Sequence, residues 1–492
     1  MESETTRYLC AGVHLDRAFR HTVLEQMLSE EHKAVAVPHG VNVEPVVHHA
    51  LLSRKRDKIR SLLLTIVVVA AVFYCFWNQR FAEEVLPLAS TTTEGDAQTA
   101  VALAMLPFLI PFWLVAALVV LVGDILRNRA LRTLRRGRPV VVDASRLANI
   151  SPDIRDRDQR NVVVYSGFSP FVGSGIDLGG WSFVIRGDKG KEELGVPTEP
   201  IPFQNSELYA HIRSTLEGLA VDGLLIQDEL YVNGQDIRDD RTFLPNPIGR
   251  PVSAVASEIV EGFVNNSSQT VRHYMAVHLI QWKGELVLSC FLRVTQPGPH
   301  LFVESSYFLL PPVTEKYYMV DSLSLRMSGK EVIGLAIRAV LGAPFLCCVA
   351  PFALWGEMLE PFNRWKKQRE TEELIKENYS FDYGATASIR ALAASPNYRR
   401  YFQKLDKEMG LKLVERSILD SIVGFLDEKN IDTSDLKERT STILNNGVIV
   451  SGRYIKADTF TAGQGATSEV VKQFGATLHG APIGQKDVNV RK

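Results

Sequence analysis

Two long apolar runs without a formal charge constrain this chain more than any other feature. "SLLLTIVVVAAVFYCFWNQ" (Ser61 to Gln79) holds 19 uncharged residues, and "AQTAVALAMLPFLIPFWLVAALVVLVG" (Ala97 to Gly123) holds 27. The core of a bilayer asks for about 20. Inside lipid every backbone polar group must find its partner within the segment, so both runs read as helices. Pro107 and Pro111 are expected to kink the second. Tyr74, Phe76 and Trp77 suit an interface end of the first. The expectation is a transmembrane hairpin over 61–126, with spans at about 61–79 and 100–123.

Lys and Arg set its direction. "RKRDKIR", with Arg54, Lys55 and Arg56, precedes the first run; "RNRALRTLRRGR", with Arg135 and Arg136, follows the second. The connecting stretch Arg80 to Asp96 carries one Arg against four acids. The positive-inside bias then places both ends of the hairpin in the cytoplasm and the loop outside. A third run, Ala339 to Gly356, contains "GAPFLCCVAPF" and holds 18 uncharged residues. It is followed by "RWKKQR", with Lys366 and Lys367. Pro344 and Pro351 are expected to divide it into short pieces. A third membrane segment over 333–356 is either re-entrant or spanning. The re-entrant form leads, because it keeps the basic flanks on both sides cytoplasmic. The expected location is the cell membrane, multi-pass, with a cytoplasmic N-terminus.

The remaining sequence divides by pattern into a membrane protein with an α+β cytoplasmic domain. Residues 1–60 form a cytoplasmic helical segment, in which Leu15, Phe19, Val23, Met27 and Leu28 make one apolar face. Residues 139–330 form the α+β domain. "NVVVYSGF" and "GGWSFVIRG" read as strands, and "NSELYAHIRSTLEGLA" as a helix capped at Asn205 or Ser206. Asn233-Gly234 suits a tight hairpin. Three β-rich runs from Val271 onward, turning at Lys283-Gly284 and at "TQPGP", read as an antiparallel meander. Residues 364–444 form a helical cytoplasmic domain, with Phe402, Leu405, Met409, Leu413 and then Ile418, Leu419, Ile422, Leu426 as its apolar stripe. Residues 445–492 form a β-rich and flexible tail.

Chemistry is sparse. A net charge of −1 offers no basic face for nucleic acid. The first 50 residues lack the apolar core of a signal peptide. Five scattered cysteines form neither a CxxC pair nor a disulfide framework, which favours a reducing compartment. Eleven histidines include no HExxH, and His273 and His278 fall on opposite strand faces, so neither a metal nor a cofactor is expected. "GFSPFVGSG" (Gly167 to Gly175) lacks the Lys-Ser or Lys-Thr of a phosphate loop, and Phe171 occupies the second glycine of a nucleophile elbow. The loop is instead a candidate partner-binding tip: Gly167, Phe168, Ser169, Pro170, Phe171, Gly173 and Gly175, exposing Phe168 and Phe171.

The stretches "RYLCAGVHLD", "VVVYSGFSPFVGSG", "FDYGATASIRALAASPNYRRYFQKLDKE" and "GFLDEKNIDTSDLKERTSTILNNG" together resemble a group of large, mostly uncharacterised membrane proteins of actinobacteria such as Streptomyces. The chain also resembles the membrane proteins that accompany cytoplasmic contractile injection particles, which are phage-tail-like and linked to stress-triggered cell death. That resemblance implies a non-enzymatic protein that lies in the lipid bilayer and docks a cytoplasmic protein assembly, alone or as a homo-oligomer. An oligomeric pore or membrane-disrupting effector is the alternative reading. A membrane-bound hydrolase using the Gly167–Gly175 loop is the second.

Overall fold

The computed structural model describes residues 3–77, 95–135, 160–193, 196–266 and 268–446. The chain begins with α1 (Glu4–Leu15) and α2 (Arg17–Leu24). The two meet at Asp16, whose carboxylate accepts from the N–H groups of Ala18 and Phe19 at 3.0 and 3.1 Å and starts the second helix. Phe19, Val23 and Met27 are buried as their spacing predicts.

Two long helices follow, α3 (Val43–Trp77) and α4 (Gly95–Thr133). A third, α7 (Gly329–Glu377), runs 49 residues. All three are long and apolar enough to cross a membrane. They share a small-residue seam in which Ala116, Ala117, Ala339, Ala343 and Ala350 pack around Leu64 and Val120. Trp113 Nε1 donates to the Val340 carbonyl at 2.8 Å.

Pro344 and Pro351 do not divide α7 as expected: the helix continues through both, and through Pro361. Flanking turns on a 49-residue helix keep it whole where a short one would end. Its anchoring is specific. Arg60 Cδ lies 3.2 Å from where a Cβ on Gly123 would sit, so Arg54 and Arg132 stand at one level, at the same end of the hairpin. Glu331 in the first turn of α7 pairs with Arg132 at 2.9 Å, and Glu360 pairs with Arg54. These anchors lie 29 residues apart yet at the same end of the α3–α4 pair, farther than a straight helix could return, so α7 bends between them, where Pro344 and Pro351 lie.

The rest is an α+β body. Strands β1 (Val162–Tyr165), β2 (Ile176–Arg186), β5 (Leu224–Asn233), β6 (Val271–Gln281), β7 (Leu286–Thr295) and β8 (His300–Leu310) form one sheet in the order β1-β5-β6-β7-β8-β2. A separate pair joins β3 (Glu192–Glu193) to β4 (Val196–Pro197). β1 is parallel to β5, and every other pair in the large sheet is antiparallel. The predicted meander is β6-β7-β8, with Lys283 and Gly284 at positive φ in its first turn. Asn233-Gly234 makes no hairpin: β5 pairs with β6, beyond α6 (Ser257–Asn265), and Gly234 instead abuts Gly384. α5 (Asn205–Gly218) starts after Gln204, whose backbone N–H donates to Glu207 Oε1 at 3.0 Å.

One sheet face packs against α5 and α8 (Tyr401–Glu428) through Met275, Val277, Leu288, Leu292, Ile418 and Ile422. Residues from 139–330 and 364–444 therefore share one core, completed by α9 (Ser434–Asn446) through Leu436 and Ile443. The predicted stripe splits: Ile418, Leu419, Ile422 and Leu426 are buried, whereas Phe402, Leu405 and Met409 are exposed. Residues 445 and 446 still belong to α9, and the rest of the predicted β-rich tail lies outside the described residues.

Glu415 sits inside this core, 2 % exposed, with Oε1 lacking a partner. Burial pushes its carboxyl up to about 7. A raised carboxyl contributes stability below its unfolded value of about 4.3, and that contribution is lost as pH rises through about 7. Replacing Glu415→Gln removes this titration. The expected result is a melting temperature that gains on wild type as pH rises from about 5 to 8, read by thermal unfolding of the detergent-solubilised protein.

Candidate coupling site at the base of the apolar helices

α1 carries Arg7 and Tyr8 on a helix that is buried almost all round. Such a charge needs several partners, because the cost of leaving it in low dielectric is several kcal/mol. Arg7 has them. Its guanidinium donates to Glu4 Oε2 at 2.9 Å, to the Leu134 carbonyl at 3.1 Å and to Asp321 Oδ1 at 2.7 Å. Tyr8 donates its hydroxyl to Asp321 Oδ2 at 2.7 Å. Leu134 directly follows α4, and Arg132 within it donates to the Ser324 carbonyl. The end of the second apolar helix is thereby bonded to residues 321–324.

The network continues into the sheet. Arg399 lies over the Tyr318 ring, whose own hydroxyl donates to Glu285 Oε2 at 3.2 Å. Gln403 Nε2 reaches the same oxygen at 2.9 Å. Fully buried Arg390 donates from Nη2 to the carbonyls of Glu285 and Pro311 at 3.0 and 2.7 Å. Burial lowers the Arg390 guanidinium to about 10, with Tyr318 and Glu285 opposing that shift. Burial works against the Asp321 carboxylate, yet the bonds from Arg7 and Tyr8 hold it below the usual carboxylate value. Burial, aided by the bond to Asp321, pushes Tyr8 up to about 12. Both carboxylates are engaged by donors.

Beside this network lies a buried polar layer. His14 Nε2 is 3.1 Å from His49 Nδ1, and Arg20 pairs with Asp57 at 2.9 Å. Burial, then the neighbouring His49, Arg56, Arg20 and Arg127, lowers His14 to about 2.

The sequence-derived residues fall in two places. Gly167, Phe168 and Ser169 are exposed, and Phe168 is fully so. Pro170 is half-buried. Phe171 is not exposed as expected: it stacks on Phe291 at 4.2 Å and meets Tyr231, Tyr274 and Phe308, because the sheet face offers an aromatic recess. Gly173 and Gly175 take positive φ; a Cβ at Gly175 would strike the Leu309 carbonyl. The loop is thus tied down by Phe171 and its glycines, with Phe168 at its exposed tip.

Among the basic residues, Arg54 meets Glu360 and Lys55 is exposed. Arg56 bonds Ser53 at 3.0 Å, and Lys366 pairs with Glu370 at 3.6 Å. Lys367 pairs with Glu25 at 2.7 Å, tying α7 to the N-terminal helices. Arg135 closes the turn after α4, and Arg136 lies outside the described residues. Sequence reasoning missed Arg7, Tyr8, Asp321 and Arg390; their signal was a charge or hydroxyl set among apolar neighbours. His273 and His278 do face opposite sides of β6, against Tyr209 and His39 respectively. Ser289 Oγ is 2.9 Å from His278 Nδ1, and Glu229 Oε1 is 3.9 Å from His278 Nε2. That last distance exceeds a hydrogen bond, and Ser289 is fully buried.

The model of the AbeC-like domain matches residues 180–459, more than half of the chain. The chain belongs to the AbeC-like family. No curated protein matches it, and no solved structure does. The AbeC-like domain holds most of the sheet, α7 and α8, while α1, α3, α4 and β1 precede it. The Arg7–Tyr8–Asp321 cluster therefore bonds the AbeC-like domain to the segment before it.

Asp321→Ala leaves Arg7 buried without its strongest acceptor. The expected cost is about 2–4 kcal/mol, toward the lower end for a buried pair because Asp321 retains some solvent contact. Thermal unfolding checks it, with Arg416→Ala, an exposed pair on α8, as the near-neutral comparison. His14 adds a pH dependence of defined sign. Its folded value lies below the unfolded value of about 6.5, so its contribution is complete above that pH and is lost as pH falls. His14→Gln is expected to flatten the acid side of the stability profile.

Proposed function

We propose that this AbeC-like protein is a membrane-anchored docking and coupling platform without catalytic activity of its own. The observation that supports it most is the buried network from the end of α4 through Asp321 and Glu285 to Arg390. An anchor that only tethers needs no such network, whereas one that passes a displacement between membrane and body does. The exposed Phe168, at the tip of a loop anchored by Phe171, supplies a contact point for a partner. The apolar helices sit in the cell membrane, with the N-terminus and the sheet body in the cytoplasm. α7 dips into the bilayer and returns, a reading supported by its two anchor points at one end of the hairpin. The resemblance of the quoted stretches to proteins accompanying contractile injection particles makes such a particle the partner to test, with stress-induced cell death as the outcome it mediates.

Topology reporters fused after residues 90, 200 and 400 are expected to read outside, inside and inside. A reporter at 400 reading outside would make α7 a full span and remove the dip. In cells carrying the full-length protein, crosslinked capture is expected to recover the particle, and Phe168→Ala to reduce that recovery severalfold with unchanged protein level. Capture that fails with wild-type protein counts against the docking role. Capture unaffected by Phe168→Ala moves the contact elsewhere.

A further inference from the structure

The first half of α8 is built inside out. Its inward positions are Gln403, Lys407 and Gly410, all buried, of which Gly410 lies against the Leu279 side chain. Its outward positions are Tyr401, Phe402, Leu405 and Met409, with Phe402 64 % and Met409 60 % exposed. From Val414 onward the helix reverts to the usual arrangement, with Ile418, Ile422 and Phe425 inward. An amphipathic helix normally turns its apolar stripe to the core. Here polar residues occupy that side because Gln403 is required by Glu285, and the apolar stripe is left without cover.

Two further observations say what covers it. The stripe is flanked by exposed Arg399, Arg400 and Lys404. Of the acids on this half of the helix, Asp406 is engaged by Trp282 Nε1 at 2.9 Å and Glu408 is half-buried, so basic groups outnumber acids at the exposed rim. Aromatic and aliphatic side chains beside a basic rim are the composition of a helix lying in a membrane interface. The stripe also continues from the base of the apolar helices. Arg399 is 3.9 Å from Asp321, which holds Arg7; Arg7 in turn bonds Leu134 at the end of α4. Leu325 and Met319, both exposed, lie in the segment between β8 and α7 that carries Asp321.

We propose that the first half of α8 rests on the surface of an anionic bilayer beside the apolar helices, with Tyr401, Phe402, Leu405 and Met409 entering the acyl–headgroup boundary. This rests on the membrane reading given above. Lys404, and the exposed flanks of Arg399 and Arg400 beyond their contacts with Asp321, Tyr318 and Trp282, then meet acidic headgroups. A shift in how the body sits on the membrane passes through Gln403 to Glu285 and Arg390.

The test uses the full chain with Cys75, Cys347 and Cys348 replaced by Ala, leaving the buried Cys10 and Cys290. An environment-sensitive thiol label is placed in turn by F402C, M409C, R416C and L114C. The proteins are reconstituted in nanodiscs of phosphatidylcholine and phosphatidylglycerol, with and without lipid carrying an acyl-chain nitroxide. Labels at 402 and 409 are expected to lose most of their emission to the nitroxide, while the label at 416, exposed on the second half of α8, keeps its emission. Quenching at 402 is expected to weaken when phosphatidylcholine replaces all the phosphatidylglycerol. Quenching at 114 but not at 402 or 409 overturns the proposal and leaves the membrane reading standing. Blue-shifted but unquenched labels at 402 and 409 also overturn it, since a protein surface then covers the stripe. No quenching at 114 removes the membrane reading and this proposal together. Equal quenching without phosphatidylglycerol overturns the acidic-lipid preference.

Discussion

The fold depends on how one buried guanidinium is satisfied. Arg7 lies on a helix packed on nearly every side; its partners are Glu4 one turn back on the same helix and two groups far along the chain, the Leu134 carbonyl and Asp321. Because a lone charge there would cost several kcal/mol, the end of α4 and the segment before α7 must both be present for α1 to pack. The apolar helices and the sheet body are thus parts of one cooperative structure. Tyr8 reinforces the arrangement by closing the second oxygen of Asp321.

From that junction the sheet's two faces take different roles. One face is ordinary apolar core, closed by α5 and α8. The other carries the aromatic recess that receives Phe171, and His278, which meets the ring of His39 at 4.1 Å. The N-terminal segment and the glycine-rich loop therefore cover the same face, and Gly173 packs against Ser388 from the 381–400 stretch. Three of the four stretches that carried the family resemblance meet in this region: the α1 stretch, the loop, and the stretch containing Arg390. Their proximity gives those fingerprints a shared structural purpose that no catalytic motif supplied.

Period and composition made much of this legible. The two uncharged runs, the β6-β7-β8 meander with its Lys283-Gly284 turn, and the opposed faces of His273 and His278 follow from local rules. The Asn233-Gly234 turn was misread because turn propensity does not say which strand comes next. In the apolar run alone Pro344 and Pro351 look like breakers; within a 49-residue helix they interrupt bonds without ending it. Phe171 was misplaced for a related reason: exposure of a loop residue depends on the surface beneath it, here four aromatic rings from four strands.

Local sequence is enough to show that three runs are apolar enough for a membrane, that the remaining chain is mixed α and β, and that charge clusters sit at the ends of the apolar runs. Those properties are local, set by hydropathy and period over some tens of residues. The three-dimensional packing sets the rest: Glu331 and Glu360 held at the same end of the hairpin, Arg7 bound to Asp321, and an apolar stripe of α8 turned outward. Each of these joins residues far apart in the chain, and the free energy that selects them lies in satisfying buried polar groups, which no window of sequence contains.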